Sequence, residues 1–549
     1  MRLKNLDVSA ISTRFQDILV FGRIVAMKKI FLTAIITATV LCNWAVAQTP
    51  TPTPYVTPMP PTIEKQVQTL ADLQSRIRSR LLSPDLRRGQ VGVKIVSLNS
   101  GQVIFEQNSE KYFMPASNMK NFTVATAIEK LTPDFHFVTS VYAAAGPDAN
   151  GTVSGPVRIF GRGDVSISTR FSEGNYYKGL DDLADKIIAA GVKKIDGDLI
   201  ADETYFTGNP VPGEWEWDDL QWDYGAEVST LSINDNAIDL VVTPGPSGYA
   251  CSVKMSPYNP VVRIINQCVT SAAGTFRTLK IEKKIDRNII EITGSLPVGN
   301  KGFSGAVTVS RPAELFVALL KERLLAKGVV VTGQTRAINV KPTGQTPPSV
   351  EIAKLESPPL SLIAQKTLKP SQNMYTETLL WTLGENARAR TAFPTFAGTC
   401  GSCVDSAELG LGEVKGFLTS IGVAPDGIIQ HDGSGLSRHN LITPAAVVQL
   451  YTYMGKQSRF SQAWRDSLTI GGVDGTLKNR FKGTRAAGNV RGKTGTIDQV
   501  SALSGYVRTA AGEEIVFSMV VNGVNETSMR TSAMDEIVVN LANFDGKVD

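Results

Sequence analysis

The sequence predicts a multidomain α/β (α+β) protein, with one helix-and-sheet domain split by a long, mostly β insertion. Three observations carry this. The 549 residues exceed what one hydrophobic core usually serves. Helical periodicity surrounds residues 114–131 and returns from about 356, while the tail alternates like antiparallel strands. Between 146 and 352 the texture changes to short strands punctuated by Gly, Pro and Asn, a stretch too long to be a loop.

Composition narrows the class. With 42% hydrophobic and 19% charged residues the chain is neither disordered nor a multiple membrane-spanner. The net charge of +5 is spread, with no Lys/Arg run of the kind that binds nucleic acid. It favours at most a loose association with an anionic surface such as cell wall or lipid headgroups.

Residues 1–26 read as an upstream extension. Residues 27–47, "MKKIFLTAIITATVLCNWAVA", have two lysines, an apolar run from Ile30 to Leu41 and a small-x-small site before Gln48. That is the pattern of a secretory signal cut after Ala47, and the apolar run is short of the ~20 residues a membrane span needs. An uncleaved tether is the alternative; Leu41 before Cys42 argues against lipid attachment. The predicted location is therefore the periplasm or extracytoplasmic envelope. Residues 48–62, "QTPTPTPYVTPMPPT", form an extended Pro/Thr linker.

Past the signal four cysteines remain, and an even count in an exported chain predicts two disulfides, Cys251 with Cys268 and Cys400 with Cys403. "CGSC" as a redox pair would want a thioredoxin-like βαβ context, and none surrounds it.

Along the chain, "TIEKQVQTLADLQSRIRSRLL" predicts a helix, and "QVGVKIVSLNSGQVIFEQN" a hairpin turning at Asn99-Ser100-Gly101. "FTVATAIEKL" continues as an apolar helix from Asn121. Within the insertion one helix stands out, "RPAELFVALLKERLLAKG". "PLSLIAQKTLKPSQNMYTETLLWTLG" is helical again. "RGKTGTIDQVSALSGYVRTAAGEEIVFSMVVNG" reads as three antiparallel strands, and "MRTSAMDEIVVNLANF" as a closing helix.

The candidate chemistry begins at "MPASNMKNFT". Ser117 and Lys120 are three apart, hence neighbours on a helix. A lysine can serve as base to a serine if its pKa falls from about 10.4 to near 7, roughly 4 to 5 kcal/mol of selective destabilisation of the ammonium, which burial and a second cation supply. The chain has only three histidines. His431 and His439 flank Ser434 in "HDGSGLSRHN", which lacks the G-x-S-x-G elbow, so a Ser/His/Asp triad there is the weaker choice. S-x-x-K occurs once, at Ser117 to Lys120. Ser371-Gln372-Asn373 interrupts a helical region, and Lys493-Thr494-Gly495-Thr496 opens the C-terminal strands.

The ordered trio S-x-x-K, S-x-N, K-T-G is the signature of penicillin-binding proteins and serine β-lactamases. With "PASNMKNFT", "KTLKPSQNMYTETLL", "HDGSGLSRHNLITP" and "GKTGTIDQVSALSGYV", and over 200 residues between the first two motifs, the chain resembles the D-Ala-D-Ala carboxypeptidase/endopeptidase family, the low-molecular-mass class C penicillin-binding proteins. The resemblance implies a transpeptidase-like domain, an antiparallel sheet flanked by helices, over 63–145 plus 353–549. It also implies two nested inserted domains, 146–205 plus 296–352 and 206–295.

It further implies Ser117 as the acylated nucleophile and Lys120 as its base. Ser371 would pass the proton toward the leaving amine, and Asn373 would hold Lys120 and the substrate amide. Lys493 would add positive potential that keeps Lys120 neutral. Thr494 and Thr496 would bind the substrate carboxylate, with Gly495 between them, and the N–H groups of Ser117 and Thr496 would form the oxyanion hole. For the diamino acid of the peptidoglycan stem the insertion offers Asp202 and Asp164. The substrates implied are peptidoglycan stem peptides, with β-lactams as covalent inhibitors and neither metal nor organic cofactor. Val165 replaces an expected proline and Gln372 a common aspartate. The rival readings are a β-lactamase or esterase, which the long insertion disfavours, and a non-catalytic wall-binding or β-lactam-sensing protein, which would be expected to have lost a reactive group.

Overall fold

The computed structural model describes residues 67–548 apart from 286, 341–348 and 391–403. The predicted signal, the predicted linker and the expected Cys400–Cys403 pairing lie outside the described residues.

A six-stranded antiparallel sheet organises the first half of the molecule. Its order is Val103–Gln107, Gln90–Ser97, Glu514–Asn522, Val500–Arg508, Arg491–Ile497, Thr469–Ile470. The two central strands, Val500–Arg508 and Glu514–Asn522, are buried on both faces, so their sequences run apolar almost without alternation. One face packs on the first and last helices, Leu70–Leu81 and Thr527–Asn543, through Leu73, Ile77, Phe517, Ile537 and Leu541. Thr69 caps the first helix reciprocally with Asp72. The other face carries the helices Lys120–Leu131, Leu360–Leu368, Asn373–Arg390 and Pro444–Lys456 around Phe122, Tyr375, Tyr451 and Val520. The predicted hairpin, three C-terminal strands and closing helix are all present.

The intervening chain forms separate sheets. Thr335–Ile338, Leu199–Asp202, Val157–Phe160, Val138–Ala143 and Val350–Glu356 make a five-stranded mixed sheet. Val138–Ala143 pairs at its edge with Val350–Glu356, so the strands that open and close this part of the chain lie side by side. Pro312–Ala326 packs on this sheet, as the sequence predicts for a helix here. A second helix, Lys178–Ala189, was not expected. It buries Leu180, Leu183, Ala184 and Ile187, an i, i+3, i+4, i+7 stripe hidden among Gly- and Asp-rich text. Residues 237–308 supply smaller sheets, including Ala237–Thr243 between Phe303–Thr308 and Ser252–Ser256.

Cys251 and Cys268 are disulfide-bonded, as expected, closing a loop of sequence separation 17 among these small strands. Closing a loop of that length is worth about 3 kcal/mol in the chain-entropy account. The double Cys251→Ser/Cys268→Ser variant should lose about that much stability in urea titration; an unchanged midpoint would show that the bridge restrains nothing in the unfolded chain.

Candidate active site

A single 3-10 turn, Ala116–Met119, runs straight into the helix Lys120–Leu131. In a 3-10 turn residues i and i+3 eclipse, which brings Lys120 Nζ to 2.9 Å from Ser117 Oγ. The helix that follows is buried from Lys120 through Ile128, so the lysine enters the protein interior at its first residue.

Three other segments close around this pair. Ser371 sits in the break between Leu360–Leu368 and Asn373–Arg390, with φ of 69°. Asn373 opens the second helix; its Nδ2 donates to Tyr224 O at 2.8 Å and its Oδ1 accepts from Lys120 Nζ at 2.5 Å, which fixes the orientation of the amide. Lys493 Nζ donates to Ser371 Oγ at 2.9 Å and to Thr494 O at 2.7 Å. The strand bearing Lys493 is tied to the nucleophile turn through Asn118, whose Nδ2 donates to Lys493 O (3.1 Å) while its Oδ1 accepts from Ser504 Oγ (2.6 Å). Gly495 permits that approach: a Cβ there would lie 2.5 Å from Pro115 O and 3.1 Å from Ser117 N.

The loop 431–439 supplies the fourth wall, and sequence reasoning assigned it no role in the chemistry. Ser434 O accepts from Lys120 Nζ at 2.7 Å. Gly435, at φ of +85°, crosses Ala116 so closely that a Cβ would fall 1.9 Å from its carbonyl oxygen. Beneath the loop lie two buried carboxylates. Glu377 accepts from the N–H groups of Gly433 (2.9 Å) and Ser434 (2.7 Å). Asp432 accepts from Gly435 N, Ser437 N, Asn440 Nδ2 and, reaching over from the insertion, Trp215 Nε1 at 2.9 Å. On either side of Trp215, Glu214 Oε2 meets His431 Nδ1 at 2.9 Å and Glu216 meets Arg438 Nε at 3.1 Å. The alternative triad is not assembled: His431 is engaged by Glu214, and the buried Ser434 Oγ has no partner.

Electrostatics favour a neutral Lys120. Burial pushes its pKa down to about 7, against the opposing pull of Asp432 and Glu377. Burial also pushes Lys493 well below the usual lysine range, and the repulsion from Lys120 adds to that effect. Burial is thus the leading cause at both lysines; of the two causes the sequence reading named, burial and a second cation, only burial is among those acting on Lys120. A neutral amine has two hydrogens and one lone pair. The oxygens of Asn373 and Ser434 are pure acceptors that take both hydrogens, so the lone pair is left for the Ser117 hydroxyl.

Ser117, Ser371, Asn373, Gly435 and Thr496 line a cleft of about 450 Å3. Its opposite wall comes from the insertion: Glu216, Asp218, Asp219 and Tyr224. Asp202 is not among the lining groups. It is buried and ion-paired with Arg158 at 2.9 Å, and accepts from Thr204 N. Asp164 is buried too, accepting from Ser166 N, and burial pushes its carboxyl up to about 6. Asp202 and Asp164 are thus held in internal contacts, Asp164 Oδ2 being buried without a hydrogen-bond partner, and neither borders this cleft. The groups that do reach the cleft lie in "EWEWDDLQWDYG", a run dense in acid and tryptophan with no regular period, and that density was the available signal.

The D-Ala-D-Ala carboxypeptidase 3 (S13) family matches residues 73–544. The chain belongs to that family. A D-alanyl-D-alanine carboxypeptidase of Actinomadura sp. (strain R39) is 34% identical over 488 residues, covering 87% of this chain and 86% of that protein. The D-alanyl-D-alanine carboxypeptidase DacB of Haemophilus influenzae is 26% identical, covering 79% and 85%. Among solved structures, penicillin-binding protein 4 (dacB) from Haemophilus influenzae superposes with a TM-score of 0.70 at 23% identity, covering 86% of this chain and 98% of that one, which shows the shared multidomain fold. Membership in the family makes the chain a serine peptidase.

Two outcomes follow for the family's reaction in this chain. Because the base must be neutral, kcat/KM should rise with pH through an apparent pKa near 7 and level above it; Lys120→Ala should lower it by about 100-fold or more. Trp215→Phe removes one donor from Asp432, deepening the negative potential at Lys120. The acidic limb should therefore move upward by roughly half a unit to one unit, with kcat on the alkaline plateau little changed. A profile superimposable on wild type would remove Trp215 from the account.

Proposed function

We propose that the protein hydrolyses D-Ala-D-Ala termini or D-Ala-diamino-acid cross-links of peptidoglycan through an acyl-enzyme on Ser117. The observation that carries this is the placement of Lys120 Nζ, 2.9 Å from Ser117 Oγ, with its other partners fixed as acceptors.

The Ser117 proton passes to Lys120 as Oγ attacks the carbonyl carbon. Charge then develops on the carbonyl oxygen, where the N–H groups of Ser117 and Thr496 stabilise it. Ser371, bonded to Lys493, relays a proton to the departing amine, and the C–N bond breaks. Water completes hydrolysis of the ester with Lys120 again as base. Thr494 and Thr496 receive the terminal carboxylate, with Thr494 Oγ1 held on Thr476 Oγ1 at 2.7 Å. Glu216, Asp218 and Asp219 present negative charge suited to the free amine of a stem diamino acid. Penicillins acylate Ser117 because their strained amide offers the same carbonyl and carboxylate. The relatives' names point the same way, as does a complex of the Haemophilus influenzae fold neighbour with a β-lactam.

The protein works outside the cytoplasm, exported by residues 27–47 and set off by the 48–62 linker; the Cys251–Cys268 disulfide supports an oxidising compartment. Residues 63–145 plus 353–549 make up the catalytic domain. The inserted domains are 146–205 plus 296–352 and 206–295, with the Val138–Ala143 and Val350–Glu356 pair as the stalk between catalytic and inserted parts.

Fluorescent penicillin should label the wild-type chain and fail to label Ser117→Ala, and release of D-alanine from a pentapeptide should fall by about 1,000-fold or more in that variant. Labelling of Ser117→Ala at the wild-type level would overturn the nucleophile. Slow drug turnover beside rapid D-alanine release separates this reading from a β-lactamase.

A further inference from the structure

The strand Arg491–Ile497 ends at the cleft with Thr496 and begins, about 17 Å away at ~3.3 Å per residue, in a second cavity of about 410 Å3. Arg465, Arg485, Arg491 and Arg508 all line it, with Asn489 and Glu514. Glu514 is already committed: its oxygens accept from Arg465 Nη1 (2.7 Å) and Nη2 (3.2 Å), and that guanidinium stacks over Tyr506 at 4.3 Å. Among the described residues, Arg485, Arg491 and Arg508 make no side-chain hydrogen bond and no ion pair. Arginines elsewhere, such as Arg80, Arg158, Arg323 and Arg480, are matched to carboxylates.

The backbone beneath the three is braced. Asn489 Nδ2 donates to Arg508 O at 2.7 Å and Arg485 O at 3.1 Å, and its Oδ1 accepts from Arg508 N at 2.8 Å. Arg491 pairs with Tyr506 in the sheet ladder. Two separate chain segments are thus pinned so that their guanidiniums share one cavity.

We propose that Arg485, Arg491 and Arg508 form a binding site for the phosphate groups of a polyanionic surface or chain. Guanidinium remains charged at all working pH values, and three of them bordering one cavity, Arg485 and Arg508 exposed and Arg491 half-buried, give it a positive potential that an anion would relieve. A carboxylate carries one charge on two oxygens, whereas a row of phosphate groups on a lipid surface or along a polyanion presents several charges at once, so it can engage more than one arginine fork. The same chemistry is carried by lipid headgroups and by anionic polymers, and the site takes a phosphate from either source. It lies at the far end of the strand from the cleft, whose wall carries the acidic residues Glu216, Asp218 and Asp219.

The test uses the full chain, with vesicles containing phosphatidylglycerol as one probe and soluble polyphosphate as the other. Binding is read by co-sedimentation with the vesicles and by the rise in Tm with polyphosphate. Arg485→Glu/Arg508→Glu should weaken binding at least ten-fold and flatten its salt dependence, with the rate of Ser117 acylation by penicillin unchanged; Arg485→Gln/Arg508→Gln should weaken it to a lesser degree. Binding of vesicles alone assigns the phosphate to a lipid, and binding of polyphosphate alone to a polymer. Arg87→Glu/Arg88→Glu, at an exposed site outside the cavity, controls for net charge. The proposal is overturned if neither probe binds, if the cavity variants bind like wild type, or if the control variant loses as much as they do.

Discussion

The burial of Lys120 is the constraint on which the rest depends. An ammonium whose pKa stands near 7 instead of 10.5 costs the folded state roughly 5 kcal/mol. Below pH 7 the lysine is protonated both folded and unfolded, so that cost is then fully present. It fades as pH rises from 7 toward 10.5, where only the unfolded chain still binds the proton. Folding supplies the difference through the apolar packing around Lys120–Leu131, and the surrounding oxygens accept from the amine without matching the charge of an ammonium.

Much of the architecture follows from keeping that lysine dry and positioned. The nucleophile turn must lie against a strand, hence glycine at 495, and must be crossed by a loop, hence glycine at 435. The crossing loop exposes its own N–H groups inward, and these are satisfied by Glu377 and Asp432. Asp432 raises the affinity of Lys120 for its proton and so moderates the effect of burial; Glu377, whose carboxyl burial pushes up to about 8, adds to that pull only when ionised. Trp215 then makes the insertion a participant, because its indole spreads the charge of Asp432.

The sequence disclosed the chemistry better than its surroundings. S-x-x-K is a local spacing whose geometry is set by one turn of helix, so Ser117 and Lys120 could be paired from text alone. Ser371, Asn373 and Lys493 were legible only through their order along the chain and their resemblance to known motifs. Ser434, Asp432 and Glu377 were not legible, since a bond such as Lys120 to Ser434, between residues 314 apart, leaves no local pattern. A strand-end carboxylate such as Asp202 likewise gives no sign in the text that Arg158 lies beside it. In the fold, the continuous apolar strands and the first and last helices announced themselves. Lys178–Ala189 was readable by its period but hidden by the strand-and-turn text on either side.

The central claim is a neutral, buried Lys120 at working pH. It is tested most directly by NMR titration of the Lys120 side chain, with 13C-labelled lysine in full-length Ser117→Ala and Lys120→Met as the assignment control. The account predicts a resonance titrating near pH 7 that is missing from the control, while the resonance of Lys493, also depressed by burial, remains. A Lys120 resonance that titrates above pH 9 would contradict it.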